Sequence, residues 1–303
     1  MLNLKIGTTC QAFIDAFGLE EGLKRVKACG FDCVDFSLMQ NQDNENCLMM
    51  QDEETLISYC KRVKNAVRNA NLTISQTHAP YYLYNNPEDY LDEKFCLQYI
   101  NAIKATAWLG VKFVVIHPVL VREGQEAHYT DGDSFRKALD YNEKFFSYLK
   151  PYALQYGVTI AIENVCGTNS LRYRGIPGAF TTAEKFHILL DRLGDGFCVC
   201  LDSGHAFYSA ENPAHFARKL GDRLKVLHIH DNDGRSDLHI APTFGDIDWA
   251  DFIKALDEIG YDGAFSLEAK YTHFTNDKNH LSALGTLHFA IVKNLLKGGN
   301  GNV

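Results

Sequence analysis

The sequence predicts an α/β fold, a closed (β/α)8 barrel formed by a single domain. Short β-rich runs alternate with longer helical patterns, which implies parallel strands joined by right-handed crossovers. Eight such runs fit within the 303 residues, the length of one barrel of this kind. Four helical patterns end on a glycine just before the next β-rich run, at Gly30, Gly110, Gly157 and Gly260; glycine there is a helix C-cap signal. A doubly wound open sheet is the rival. It often carries a glycine-rich phosphate turn after its first strand, and TTCQAFIDAFG is not one.

The β-rich runs, in order, are 4–10 (LKIGTTC), 31–37 (FDCVDFS), 72–79 (LTISQTHA) and 113–118 (FVVIHP). They continue with 158–165 (VTIAIENV), 197–204 (FCVCLDSG), 224–231 (LKVLHIHD) and 263–269 (GAFSLEA). Helical patterns separate them at 56–70, 96–110, 137–157, 183–194 and 250–260. No linker, repeat or shift in composition divides the chain. One domain over 1–297 is expected, followed by a polar, mobile tail over 298–303 (GGNGNV).

Composition narrows the function. At 46% hydrophobic and 22% charged, the chain can bury a large core. Its net charge of −8 argues against non-specific polyanion binding. The nine cysteines are odd in number and include no C-x-x-C pair, so they read as buried free thiols of a reducing cytoplasm. The N-terminus lacks a signal-peptide pattern and no apolar run reaches the length of a membrane span. A soluble cytoplasmic protein with no membrane partner is expected.

Metal-type side chains cluster at the C-terminal ends of the runs. The third run ends at His78, the fourth at His117, the fifth at Glu163 and the sixth at Asp202, with His205 three residues on. The seventh ends in His228, His230 and Asp231, followed by Asp237 and His239; the eighth ends at Glu268. In a barrel these ends converge on one rim, where active sites form. Neutral imidazoles and carboxylates together suit Zn²⁺ or Mn²⁺, with Mg²⁺ a further candidate. Taken singly, each has a plainer reading: His78 as a structural residue, Asp202 as a cap of the next turn, Asp237 and His239 as a solvated loop. Six successive strands delivering such residues to one end favours metal binding. His228 and Asp231 fit either as ligands or as partners that orient one.

The chain resembles the xylose isomerase-like TIM barrel superfamily, which unites sugar and sugar-phosphate isomerases and epimerases with endonuclease IV-type AP endonucleases. The motifs that carry the resemblance are THAPY (77–81), VVIHP (114–118), IAIEN (160–164), CLDSGHAF (200–207), HIHDNDG (228–234), DLHIAPTFGDIDW (237–249) and SLEA (266–269). The epimerase-like pattern implies a metal held by Glu163, Asp202, a histidine of the HIH run and Glu268. His230 is preferred over His228 because the polar run HDND follows it. The same pattern implies His205 beside the substrate. The nuclease-like pattern implies a three-zinc cluster and has matching positions at His78, His117, Glu163, Asp202, His205, His230, Asp237, His239 and Glu268.

The loops separate these activities. Six segments expected above the rim carry 19 acidic and 7 basic residues, a balance of −12 against −8 for the whole chain. A DNA-binding rim should be basic enough to neutralise several phosphates. The resemblance and this charge together imply a metal-dependent isomerase or epimerase acting on a sugar or sugar phosphate, with a homo-oligomer left open. Glu163 and Glu268 are expected as base and acid on opposite faces of a carbon next to a carbonyl. His205 and His228 are expected to bind hydroxyls. Arg235 is a candidate for an anionic group, as are Arg172 and Arg174. Trp249 and Phe244 are expected either as an apolar substrate wall or as packing for the last helices. The alternatives are a zinc-dependent AP endonuclease and a non-catalytic sugar-binding barrel.

Overall fold

A computed structural model describes residues 2–40, 47–84, 89–121, 132–166, 179–271 and 277–298. Arg172, Arg174 and the tail beyond Gly298 lie outside the described residues. Eight parallel strands form the barrel: β1 (Ile6–Thr9), β2 (Cys33–Ser37), β3 (Thr73–His78), β4 (Phe113–Ile116), β5 (Thr159–Glu163), β6 (Phe197–Asp202), β7 (Leu224–His228) and β8 (Phe265–Leu267). They pair in sequence order, and β8 returns to β1. The ring closes just past β7. Ile229 donates its N–H to the Ser266 carbonyl at 2.8 Å and accepts from Glu268 N–H at 2.9 Å.

The strands are shorter than their sequence patterns. The sixth ends at Asp202 rather than 204, because that carboxylate caps the next helix by accepting the His205 N–H at 2.6 Å. Helices follow every strand: α1 (Gln11–Phe17) and α2 (Leu19–Ala28), α3 (Glu53–Asn69), α4 (Glu93–Leu109), α5 (Gly132–Tyr156), α6 (Ala183–Leu193), α7 (Ser203–Tyr208) and α8 (Pro213–Leu220), α9 (Trp249–Glu258), and α10 (Lys278–Leu296). Side-chain caps start several of them. Asp52 accepts from Thr55 N–H, Asn212 from His215 N–H with Pro213 in the first turn, and Asp248 from Asp251 N–H. The four punctuating glycines all have positive φ, from 66° to 115°, as the C-cap reading requires.

Period-two alternation sorts the strand residues. One set, including Val34, Phe36, Val114, Ile116, Ile160, Ile162, Val199, Leu201 and Leu227, joins the main core with helix residues such as Val63, Ile103, Phe146, Leu189 and Phe252. The other set fills the barrel. Val115, Ala161, Cys198, Cys200 and Val226 form a small separate cluster there. The next residues of this set toward the C-terminal rim are His117, Glu163, Asp202 and His228. All nine cysteines are free thiols and eight are buried. Among the described residues, no helix is long and apolar enough to cross a membrane.

Candidate active site

The rim gathers six imidazoles and four carboxylates into three adjoining groups. In the first, Glu163 Oε2 lies 3.3 Å from His78 Nε2 and 3.1 Å from His117 Nε2. In the second, Glu163 Oε1 and Glu268 Oε2 each lie 3.0 Å from His228 Nδ1, and Asp202 lies close enough to complete a four-donor set. In the third, Asp237 Oδ2 lies 3.1 Å from His239 Nε2 and 3.6 Å from His205 Nε2, and Asp237 Oδ1 is 3.8 Å from His230 Nε2. Glu163 belongs to the first two groups. Asp202 adjoins the third, with His230 Nε2 2.9 Å from its Oδ1.

These positions have local causes. Glu163, Asp202 and His228 are the last residues of β5, β6 and β7, so the strands aim them directly. Asn164 ties β5 to β6: it donates Nδ2–H to the Asp202 carbonyl at 2.9 Å and accepts the Asp202 N–H at 2.7 Å. Asp202 acts both as cap of α7 and as a member of the rim, so the two sequence readings of it coexist. Asp237 and His239 sit on the loop after β7, which is organised around the buried Asp231 carboxylate. That carboxylate accepts from the N–H groups of Asn232, Thr243 and Ile247 and from Trp249 Nε1 at 2.7 Å.

Hydrogen bonding fixes the histidine tautomers. His78 Nδ1 faces the Ala79 carbonyl at 2.8 Å, His205 Nδ1 the Asn164 carbonyl at 3.0 Å, and His239 Nδ1 the Glu268 carbonyl at 3.0 Å. A carbonyl only accepts, so Nδ1 carries the proton in each and Nε2 turns toward a carboxylate. His228 is inverted: Nε2 lies 2.8 Å from the buried Asp35 Oδ2 and Nδ1 faces the rim.

The electrostatics follow from this crowding. Burial opposes ionisation of Glu163, yet the imidazoles of His228 and His117 outweigh it and hold its carboxyl well below the usual range. Glu268 is lowered despite burial, chiefly by His228, and Asp237 despite burial by His205 and His239. Burial disfavours the charged form of His117, His205 and His228. At His228 the carboxylates of Glu163 and Glu268 overcome it, and at His205 those of Asp202 and Asp237 do, so both titrate above the ordinary histidine range. At His117 burial prevails and the neutral ring is favoured.

The donor set fits a divalent cation. Imidazole nitrogens whose partner atom already holds the proton face carboxylate oxygens, an arrangement that either a bound cation or a second proton on the ring reconciles. Asp237 Oδ1 is buried and makes no hydrogen bond, nor do the outward nitrogens of His117 and His230. Nitrogen and carboxylate donors suit Zn²⁺ or Mn²⁺.

Some expectations change. His228, rather than His230, sits with Glu163, Asp202 and Glu268; His230 falls in the third group. The strand ends at His228, so that ring projects into the barrel. His230 instead stacks on His239 with centroids 3.8 Å apart. Trp249 is no exposed substrate wall. It is 4% exposed, its N–H is committed to Asp231, and it packs edge-on against Phe252 and Phe265. Arg235 is exposed on the loop after β7, and Phe244 is about half exposed. Asp35 escaped the sequence reading. Its signal is a carboxylate inside the β2 run of FDCVDFS, on the strand's inward phase, whereas Asp32 precedes the strand.

A parallel eight-stranded barrel with a buried histidine–carboxylate rim at its C-terminal end defines the class. The chain belongs to the xylose isomerase-like TIM barrel family, whose model matches residues 23–287. An uncharacterised protein of Methanocaldococcus jannaschii is 32% identical over 173 residues, 56% of this chain and 55% of that one. The match thus spans about half the length of that relative. Among solved structures, a D-tagatose 3-epimerase-like protein superposes with a TM-score of 0.70 at 24% identity, covering 98% of both chains. The 3-keto-D-glucoside 4-epimerase YcjR of E. coli superposes with a TM-score of 0.73 at 18% identity, covering 96% of this chain and all of that one. Both likenesses are of fold.

Proposed function

We propose that this protein is a divalent-metal-dependent isomerase or epimerase of sugars or sugar phosphates, acting by proton transfer next to a carbonyl. One observation carries the reading: Glu163 and Glu268 reach the same His228 nitrogen, each at 3.0 Å, from strands β5 and β8. Two carboxylates flanking one centre can serve as base and acid on opposite faces of a substrate carbon. The epimerase names of the solved structures of like fold support the substrate class.

Glu163, Asp202, His228 and Glu268 would hold the metal. Bound there, it supplies Lewis-acid polarisation of a carbonyl and its neighbouring hydroxyl. Glu268 is the more open carboxylate, with a side chain 26% exposed against 1% for Glu163. It is placed to take the proton from one face of the substrate carbon, with the Glu163 carboxylate facing the other. His205 Nε2 hydrogen-bonds a substrate hydroxyl, and the exposed Arg235 guanidinium receives an anionic substituent. Most of the described rim is buried, which strengthens the contacts made there.

A second reading has its own observation. The three donor groups are contiguous and share Glu163, so they could hold more than one cation, as an endonuclease IV-like hydrolase requires. Two measurements on purified protein separate the readings. Metal content per chain is determined by mass spectrometry. In parallel, a sugar panel in D₂O is followed by NMR for carbon-bound deuterium exchange, and an abasic-site duplex is assayed for cleavage. Exchange with one strongly held metal is expected. Duplex cleavage without exchange would overturn the reading, and inactivity in both assays would leave a sugar-binding barrel.

A further inference from the structure

Five of the six rim histidines have no side-chain carboxylate in hydrogen-bond contact with their outward nitrogen, although His205 Nδ1 also lies 3.6 Å from Glu163 Oε1 and 3.7 Å from Asp202 Oδ2. His78, His205 and His239 use backbone carbonyls there, and the outward nitrogens of His117 and His230 are unpartnered. His228 alone rests on a carboxylate from across the barrel, with Nε2 2.8 Å from Asp35 Oδ2. We propose that Asp35 is the positioning residue of the metal centre: it fixes the His228 tautomer and ring so that Nδ1 is presented, as a strong donor, between Glu163 and Glu268. The inference rests on the metal reading above and extends it to a residue that touches neither metal nor substrate.

The surroundings of Asp35 argue for this role. The residue is 3% exposed, and its Oδ1 makes no hydrogen bond. Its Oδ2 accepts only from His228 and from Gln76 Nε2 at 3.3 Å. A buried carboxylate with two donors is costly to fold, and an asparagine could make similar contacts without the charge. What the charge adds is a fixed Nε2–H and a more basic Nδ1, the effect of a carboxylate behind a ligating histidine. Gln76 extends the brace. Its Nε2 also donates to the Leu227 carbonyl at 3.1 Å, which ties Asp35 to the backbone just before His228. The ring is further confined by stacking on His78, with centroids 5.5 Å apart and planes 13° from parallel.

The test measures Zn²⁺ and Mn²⁺ affinity of the full-length protein by competition with a chromogenic chelator. Asp35→Asn is compared with wild type, alone and in a His228→Gln background. Asp35→Asn should weaken binding roughly 10- to 100-fold, the usual effect of losing such a partner, and should do nothing further once His228 is Gln. Long-range ¹H–¹⁵N spectra of the metal-free protein, recorded at alkaline pH where the ring is neutral, should show His228 protonated at Nε2 in wild type and a mixture of tautomers in Asp35→Asn. Circular dichroism confirms that each variant is folded. Unchanged affinity and tautomer in Asp35→Asn would overturn the inference alone, as would an equal loss in both backgrounds. Wild-type protein that takes up neither metal would overturn the metal reading and this inference with it.

Discussion

His288 offers a quantitative test of the packing because it is a histidine buried without a partner. It lies on α10, is 0% exposed, and neither ring nitrogen makes a hydrogen bond. Its ring stacks on Tyr271, with centroids 5.0 Å apart. Burial alone lowers its pKa to about 4, from an ordinary 6.5. Because the folded value is depressed, its contribution is fully present above pH 6.5 and is lost as the pH falls toward 4. A shift of this size corresponds to about 3 kcal/mol at full effect and about 2 kcal/mol at pH 5. His288→Leu removes the titration and two unsatisfied polar atoms while keeping similar bulk. It should be neutral or stabilising at pH 8, and should unfold at clearly higher temperature than wild type at pH 5. The assay is thermal unfolding of both proteins across pH 8 to 4.5. Comparing the two proteins cancels the rim histidines, which both retain. Parallel pH profiles would refute the reasoning, because they would mean that His288 finds a proton acceptor or solvent in the folded state.

Three further outcomes are expected. Glu268→Gln keeps the size of the side chain but removes its proton-accepting capacity, so sugar turnover should fall by at least about 100-fold, the usual contribution of a general base; near-normal turnover would sink the two-carboxylate mechanism. Trp249→Phe should cost about 1–3 kcal/mol in thermal or denaturant unfolding, because Asp231 loses its shortest hydrogen bond while remaining buried. Gly204→Ala should destabilise by about 1–3 kcal/mol or more, since a Cβ there would stand 1.9 Å from His230 Cε1 and that ring has nowhere to retreat but into His239.

The order of the strands was legible because each run combines an apolar alternation with a glycine or polar stop. So was the rim, because its ligand-type residues close the runs. Strand ends were overestimated where a terminal residue doubles as a cap, as at Asp202. The choice between His228 and His230 was illegible for a physical reason. Both have the same parity on β7, so alternation aims them at the same side, and only where the strand stops decides which one enters the barrel. Asp35 was overlooked because it lies one layer below the rim rather than at a strand end. Trp249 could not be resolved between wall and packing because a DW pair looks alike whether its indole meets a substrate or a carboxylate eighteen residues back, and Asp231 is that carboxylate.

The rim's donors are held by two separable devices. Glu163, Asp202 and His228 end strands of the ring, so moving them means deforming the barrel. Asp237 and His239 depend on a loop whose backbone is strained: His239 and Thr243 have φ of 47° and 74°, left-handed values that non-glycine residues adopt only where surroundings impose them. Each such residue costs on the order of 1 kcal/mol or more. The Asp231 carboxylate offsets this by collecting the N–H of Thr243, that of Ile247 and the indole of Trp249. Replacing Asp231 should therefore release the third donor group while leaving the strand-borne donors in place. A protein altered there would keep its tightest metal and lose whatever chemistry depends on Asp237 and His239. The isomerase reading needs only the strand-borne donors, whereas a multi-metal hydrolase needs both sets, so the loop is where the two readings part.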